Sequence, residues 1–320
     1  MNPELADAIG VLREKAILSN AQAAHLRAVA QGEIVSVRME IKALLYTGVL
    51  LAISGVGLFL KENHDRIGPT AIASILAAAV VACFVYILRR SPPFSWGASA
   101  SPHVAADYVL LLGVLLAGCD LAYVETQFRF LGANWAYHLL VLSLLALAAA
   151  CRFDSRVVLS LALSSFAAWR GLSTRFPFES VFRDHTDALR ANAIGCAALF
   201  LAVALVCVRA KKKAHFEAVF SAFGWLLLFG GLLSGVFQRG ESWPLWDAAA
   251  FAAAAAVVVF AYRFRRPFDF AVAVVAAYLA LLRPLADALG DQTALFVVAF
   301  SGVGILVLLA IAYRRMRVRP

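Results

Sequence analysis

Six residues sit where an apolar chain should not carry them. Asp120 lies inside one long hydrophobic run and Glu125 near its end, His138 opens the next run, Trp169 and Arg170 close a third, and Arg190 opens a fourth. Ionisable groups in hydrocarbon cost at least a few kcal/mol each, so they are the first place to look for function. At about 1.5 Å of helix per residue, all six fall within the outer third of a bilayer. Two acids, an imidazole, an indole and two guanidinium groups at one depth suit an outward-facing polar cavity for a small solute, a lipid headgroup or a proton. The alternative is a set of interfacial ion pairs and helix caps around the loop that carries Arg175, Glu179, Arg183, Asp184, His185 and Asp187. In either case Asp120 is expected to meet Arg170 or His138, the cations at matching depth.

Other chemistry lacks residues. The five cysteines (Cys83, Cys119, Cys151, Cys196, Cys207) form no CxxC pair and lie near no histidine at ligand spacing, so no metal site and no disulfide framework is expected. No phosphate-binding loop, dinucleotide fingerprint, HExxH or GxSxG occurs. Without paired catalytic groups at convincing spacing, the sequence leans away from an enzyme, and no cofactor is implied.

The elements that must position these residues are membrane helices. Of the 320 residues, 62% are hydrophobic and 15% charged, and the mean hydropathy is +0.81. A soluble domain has nearer half and a quarter. Crossing roughly 30 Å of hydrocarbon takes about 20 apolar residues. Ten runs qualify: 41–60, 70–88, 104–126, 135–150, 157–172, 188–208, 216–236, 245–262, 268–283 and 293–313. The expected fold is therefore all-α and polytopic, with about ten transmembrane helices in five hairpins.

Charge orients them. The net charge of +9 is a topology signal rather than a nucleic-acid one, because 20 of the 29 basic residues fall in segments that share one side. By the positive-inside rule both termini are cytoplasmic. Every second run ends alike: Tyr86-Ile-Leu-Arg-Arg, Cys151-Arg-Phe-Asp-Ser-Arg, Val208-Arg-Ala-Lys-Lys-Lys, Tyr262-Arg-Phe-Arg-Arg and Tyr313-Arg-Arg-Met-Arg. Arg152, Asp154 and Arg156 thus read as a cytoplasmic turn, in which Asp154 or Ser155 caps the following helix. Asp247 and Asp269, at the starts of later runs, read as helix-dipole caps.

Residues 1–40 form the amino-terminal part, expected to be a helical hairpin with Leu5, Ile9 and Leu12 on one face and a capping box at Ser19 and Gln22. Residues 41–320 form the transmembrane domain. Within it, 48–90 match 224–266 at a constant offset of 176, with Gly48/Gly224, Gly55/Gly231, Tyr86/Tyr262 and Arg89-Arg90/Arg265-Arg266 coinciding. A weaker match at offset 162 pairs Asp107 with Asp269 and Arg152 with Arg314. These matches predict a parallel repeat, spans one to four (41–156) and seven to ten (216–320), flanking a central pair (157–215). "GVLLAISGVG" (Gly48 to Gly57) and "GGLLSG" (Gly230 to Gly235) read as small-residue surfaces for close helix packing.

Two stretches, "VSVRMEIKALLYTGVLL" (Val35 to Leu51) and "RFDSRVVLSLALSSFAAW" (Arg152 to Trp169), together with "LREKAILSNAQAAHL" (Leu12 to Leu26), resemble a bacterial family of predicted multi-pass membrane proteins catalogued as a domain of unknown function. The resemblance covers roughly residues 1–170. It implies a bacterial cytoplasmic (inner) membrane protein and carries over no activity or site residue. Two functions are expected from the residues themselves: a transporter or permease for a small solute or lipid, or a non-catalytic sensor or scaffold that engages a protein partner through the amino-terminal hairpin. Membrane lipids are the remaining expected partners.

Overall fold

The computed structural model describes residues 12–14, 19–20, 22–24, 26, 38–97, 104–172, 186–238, 243–289 and 291–318. Among these, all regular structure is helical. Ten long helices follow one another: α1 Arg38–Ile67, α2 Pro69–Arg90, α3 Val104–Phe128, α4 Tyr137–Phe153, α5 Arg156–Leu172, α6 Thr186–Ala210, α7 Glu217–Val236, α8 Trp243–Arg263, α9 Pro267–Leu289 and α10 Asp291–Val318. Each apolar run of the sequence falls on one of them, in order. Six helices, α2, α3 and α6 to α9, are long and apolar enough to cross a membrane, and α4 is a shorter apolar helix. In hydrocarbon every backbone amide must be satisfied within the segment, which is why such runs can only be helices.

The chain divides into two compact units, Met1–Lys61 and Glu62–Pro320, with the division inside α1. In the first unit the Ser19 amide donates to Gln22 Oε1 at 3.0 Å and the Gln22 amide to Ser19 Oγ at 3.2 Å. This is the reciprocal capping box expected from the spacing. Leu5 and Ile9 lie outside the described residues. On α1, open space surrounds the position of a Cβ at Gly48, Gly55 and Gly57.

In the second unit the closest packing joins α2 to α3, α4 to α5, α6 to α7 and α8 to α9. These are the pairs linked at the arginine-bearing ends, whereas pairing in sequence from α1 would have coupled α3 with α4 and α5 with α6. The reason lies in the turns. Asp154 (φ 58°) and Arg265 (φ 54°) both take the left-handed conformation after "Arg-Phe". In each turn the next amide reaches back five residues, Ser155 to the Ala150 carbonyl at 3.3 Å and Arg266 to the Ala261 carbonyl at 2.8 Å. Such a closure satisfies the last carbonyls of one helix and reverses the chain within two or three residues. The following helix then starts directly, so the two helices must lie side by side.

The offset-176 match is not matched by equal element lengths. Helix α1 runs unbroken to Ile67, while its counterpart α7 stops at Val236, seven positions earlier in register. Gly68, at φ 82° with Pro69 at the first helical position, makes the α1–α2 turn sharp, a backbone conformation that glycine adopts without strain.

One cluster of buried residues lies between α7, α8 and α9, and α3 to α6 bury others, among them Leu110, Val114, Ala146, Val158, Leu159 and Ala197. Phe229, Leu232 and Val236 of α7 pack on Ala250, Ala254 and Val257 of α8 and on Ala273, Ala276 and Ala280 of α9. Alanines at three- and four-residue spacing leave a flat stripe on which a neighbouring backbone can approach closely.

Candidate functional site

The two ends of the second unit carry different chemistry. At the arginine-bearing end, Lys213 Nζ donates to Asp154 Oδ1, and His215 Nε2 lies 3.1 Å from the same oxygen. Both the Asp154 and Lys213 side chains are only 6% exposed. The Lys213 amide donates to the Trp96 carbonyl at 2.8 Å, and Arg152 donates to the Pro92 carbonyl at 3.0 Å. Three turns, 91–97, 154–155 and 211–216, are thereby tied into one knot. Ser155 is the residue that caps α5, accepting from the Val158 amide at 3.4 Å; Asp154 is instead the buried anion of the knot. A second tie joins α7 to α9, where Arg266 donates to Glu217 and buried Asp269 accepts from Ser221 Oγ at 3.2 Å. Asp269 therefore holds two helices together, beyond the dipole-capping role its position suggests.

At the opposite end α5, α6 and α7 enclose a cleft of about 330 Å³, with Arg170, Arg190, Asn192 and Ser234 as its polar lining and Gly231 and Leu227 among its apolar walls. Arg190, in the second turn of α6, is 5% exposed. Its guanidinium donates to Ser234 Oγ (3.2 Å), to the Ser234 carbonyl (3.5 Å), to Gln238 Oε1 and to Asp187 Oδ1 (2.8 Å), and lies 4.6 Å from the centre of the Trp246 ring. Asp187 itself is 80% exposed. A buried guanidinium needs this many acceptors, since one left unmet would carry the full desolvation cost. Arg170 donates to Asn192 Oδ1 at 2.7 Å, and the Asn192 amide group donates back to the Arg170 carbonyl at 3.0 Å, fixing the last turn of α5 to the second of α6.

Small residues make this possible. A Cβ on Gly231 would stand 2.9 Å from Ile194, and one on Gly235 would stand 2.4 Å from Trp246 Cγ. Helix α7 can approach α6 and α8 only because these positions lack side chains. The small-residue stripe expected at Gly230 to Gly235 is thus real at Gly231 and Gly235, whereas Gly230 faces open space. Nearby, Arg283 donates to the carbonyls of Val236 (2.5 Å) and Gln238 (2.6 Å), a cation placed on the negative end of α7.

The six residues picked from the sequence do not form one site. Arg170 and Arg190 share the α5–α6–α7 cleft. Trp169 stands beside it, its ring against Tyr137 (5.8 Å) and Phe166 (5.5 Å), with the indole Nε1 buried and without a hydrogen-bond partner. Glu125 and His138 line a separate cleft of about 780 Å³ with Arg129 and Trp135. There Glu125 accepts from the Leu131 amide at 3.0 Å and so closes the α3–α4 turn, while His138 Nδ1 lies 2.5 Å from the Trp135 carbonyl. Asp120 lines neither cleft, and its Oδ1 is buried with no hydrogen-bond partner among the described residues. The expected ion pair of Asp120 with Arg170 or His138 is not formed. Both cations have found nearer acceptors within one or two helical turns or on the adjoining helix.

Ser234 and Gln238 were not legible as site residues, because a serine and a glutamine near a helix end carry no signal until a guanidinium is seen to reach them. Arg175, Glu179, Arg183, Asp184 and His185 lie outside the described residues. No group of metal-ligating side chains occurs among the described residues.

No curated protein and no solved structure matches the chain. Apolar helices of spanning length and the amino-terminal resemblance agree with the remaining comparison: this is a helical membrane protein whose residues 11–159 match the family described as predicted membrane protein (DUF2157).

Proposed function

We propose that this protein is a membrane transporter or permease for a small anionic solute, and that the α5–α6–α7 cleft is its outward-facing binding site. The observation that carries this reading is the convergence of Arg170 and Arg190 on one cleft, with Arg190 almost wholly removed from solvent. A guanidinium kept among apolar helices is expensive, and guanidinium groups recognise carboxylates and phosphates through two parallel N–H bonds. Asp187, the carboxylate that Arg190 holds among the described residues, is largely solvated, so an arriving anion can replace it at small cost. The volume lies at the lower end of the range of small-molecule sites, which favours a compact solute over a whole lipid. With the arginine-bearing end in the cytoplasm, as the basic residues favour, the cleft opens to the outside of the cytoplasmic membrane, and both termini lie inside.

The test is a thermal-stability screen of the detergent-purified protein against small mono- and dicarboxylates and phosphate esters, followed by uptake into proteoliposomes. At least one anion should raise the melting temperature, and Arg190→Gln and Arg170→Gln should remove that response. Retention of the response in both variants would sink the reading, as would a screen in which only cations or neutral solutes stabilise.

A further inference from the structure

On the other side of the second unit, α10 packs against α9 and stands off from α8. The furrow between α8 and α10, floored by α9, has a volume of about 740 Å³. Its walls are apolar along most of their length, with Val259 of α8, Phe270 of α9, and Val307 and Ile311 of α10. At one end the character changes: Tyr262, Arg263 and Arg315 complete the lining. That end is the arginine-bearing end of the bundle, where α8 and α10 both terminate. Among the described residues neither guanidinium has a carboxylate partner. Both are exposed, so they are uncompensated charges at the mouth of a hydrophobic slot.

The dimensions follow from the helix. Gly304, Val307, Leu308, Ile311 and Arg315 form one stripe of α10, and the eleven-residue rise from Gly304 to Arg315 spans about 16 Å. One leaflet contributes about 15 Å of hydrocarbon. The slot therefore begins near the middle of the bilayer at Gly304 and ends in the headgroup layer at Arg263 and Arg315. At its deep end nothing lies within 4 Å of a Cβ built on Gly304, so the space there is open.

We propose that this furrow binds an anionic phospholipid of the leaflet at the arginine-bearing end, with one acyl chain lying along Val259, Val307 and Ile311 and the phosphate between Arg263 and Arg315. A zwitterionic lipid would fill the slot but leave the two arginines without net compensation. A partner protein helix would have to present an acid to both arginines and a smooth apolar face below. A single acyl chain needs no such match, because it conforms to the slot. Tyr262, an amphipathic ring at headgroup depth, suits the glycerol region.

The experiment is native mass spectrometry of the full chain released from nanodiscs made of equal parts phosphatidylglycerol and phosphatidylcholine. Wild type should retain phosphatidylglycerol selectively, by about fivefold for each arginine, the equivalent of the roughly 1 kcal/mol that one basic residue gains near an anionic surface. Arg263→Gln with Arg315→Gln should abolish the preference while lipid is still retained, and Arg263→Lys with Arg315→Lys should keep part of it. Gly304→Leu places a side chain at the open end of the slot, where a Cβ meets nothing within 4 Å, and should lower retention of both lipids. An equal lipid mixture on wild type would overturn the proposal. So would an unchanged preference in the double glutamine variant, or a dimer of the chain that forms as lipid is lost. If the glutamine pair does not fold, Gly304→Leu decides alone, since headgroup charge is untouched there and unchanged retention would refute the site.

Discussion

Lys213 donates to Asp154 across 59 residues of sequence, and both side chains are buried in the knot of three turns at the arginine-bearing end. The pair is the link between the tight α4–α5 turn and the α6–α7 turn. Removing Lys213 takes from buried Asp154 the cation it shares with the neighbouring His215 imidazole, at a cost of up to about 3–5 kcal/mol. Lys213→Met should therefore destabilise by that order in chemical unfolding from mixed micelles. Asp154→Asn together with Lys213→Met should recover much of the loss, since Asn tolerates the left-handed backbone at position 154 and no charge remains unpaired. Additive single and double variants would show that the pair contributes no coupling.

A second prediction concerns the approach of α8 to α7. Gly235→Ala places a methyl group 2.4 Å from Trp246 Cγ. The ring must move, and with it the surface on which the Arg190 guanidinium rests. Overpacking of this kind costs about 1–3 kcal/mol, and solute response at the cleft should fall with it. Gly230→Ala, five residues back on the same helix with open space at its Cβ, should be neutral or stabilise by up to about 1 kcal/mol through helix propensity. Equal effects of the two substitutions, read as shifts in unfolding midpoint, would contradict this packing.

The ten helices were legible because each is a long apolar run closed by a polar or glycine break, and hydrocarbon permits no other structure. Which helices pair was not. The core stripes of α8 and α9 are alanines set among more alanines and valines, so the apolar pattern continues round the helix and marks no face. The tight reversals at α4–α5 and α8–α9 are fixed instead by the left-handed residues Asp154 and Arg265, neither of them glycine, the residue that usually marks such a turn. The same limit applied to the site. Arg170 and Arg190 stood out by the cost of placing them, but their acceptors Asn192 and Gln238 lie on other turns and other helices, at distances the sequence does not encode. Asp120 was assigned the wrong neighbours because depth in the membrane was known and rotation about the helix axis was not.

Topology provides a third prediction. If all ten helices cross, reporter fusions after Arg90, Lys213 and Arg315 should report the cytoplasm, and fusions near Asp65, Asp184 and Asp287 the outside. The knot holds the turns at Arg152 and Lys213 at one end of the bundle, and by the positive-inside rule the basic residues gathered there are expected to keep that end in the cytoplasm. An inside signal at Asp184 would mean that α5, only 17 residues long, does not span.

The last prediction turns on Asp120. Its Oδ1 is buried, and no donor among the described residues meets it. A buried carboxylate oxygen left unmet is a net cost to the fold, on the order of 1 kcal/mol or more. Asp120→Leu should then leave stability unchanged or raise it, and Asp120→Asn should not lower it, in unfolding titrations of the purified protein. A loss of about 1 kcal/mol or more in both variants would mean that Asp120 has a structural partner. The informative case is a variant that is more stable yet fails to move solute in proteoliposomes. Residues kept against their own energetic interest are those whose task lies in function, and that outcome would make Asp120 a working group of the transport path, separate from the arginine cleft. Unchanged transport in a stabilised Asp120→Leu would remove it from the functional residues altogether.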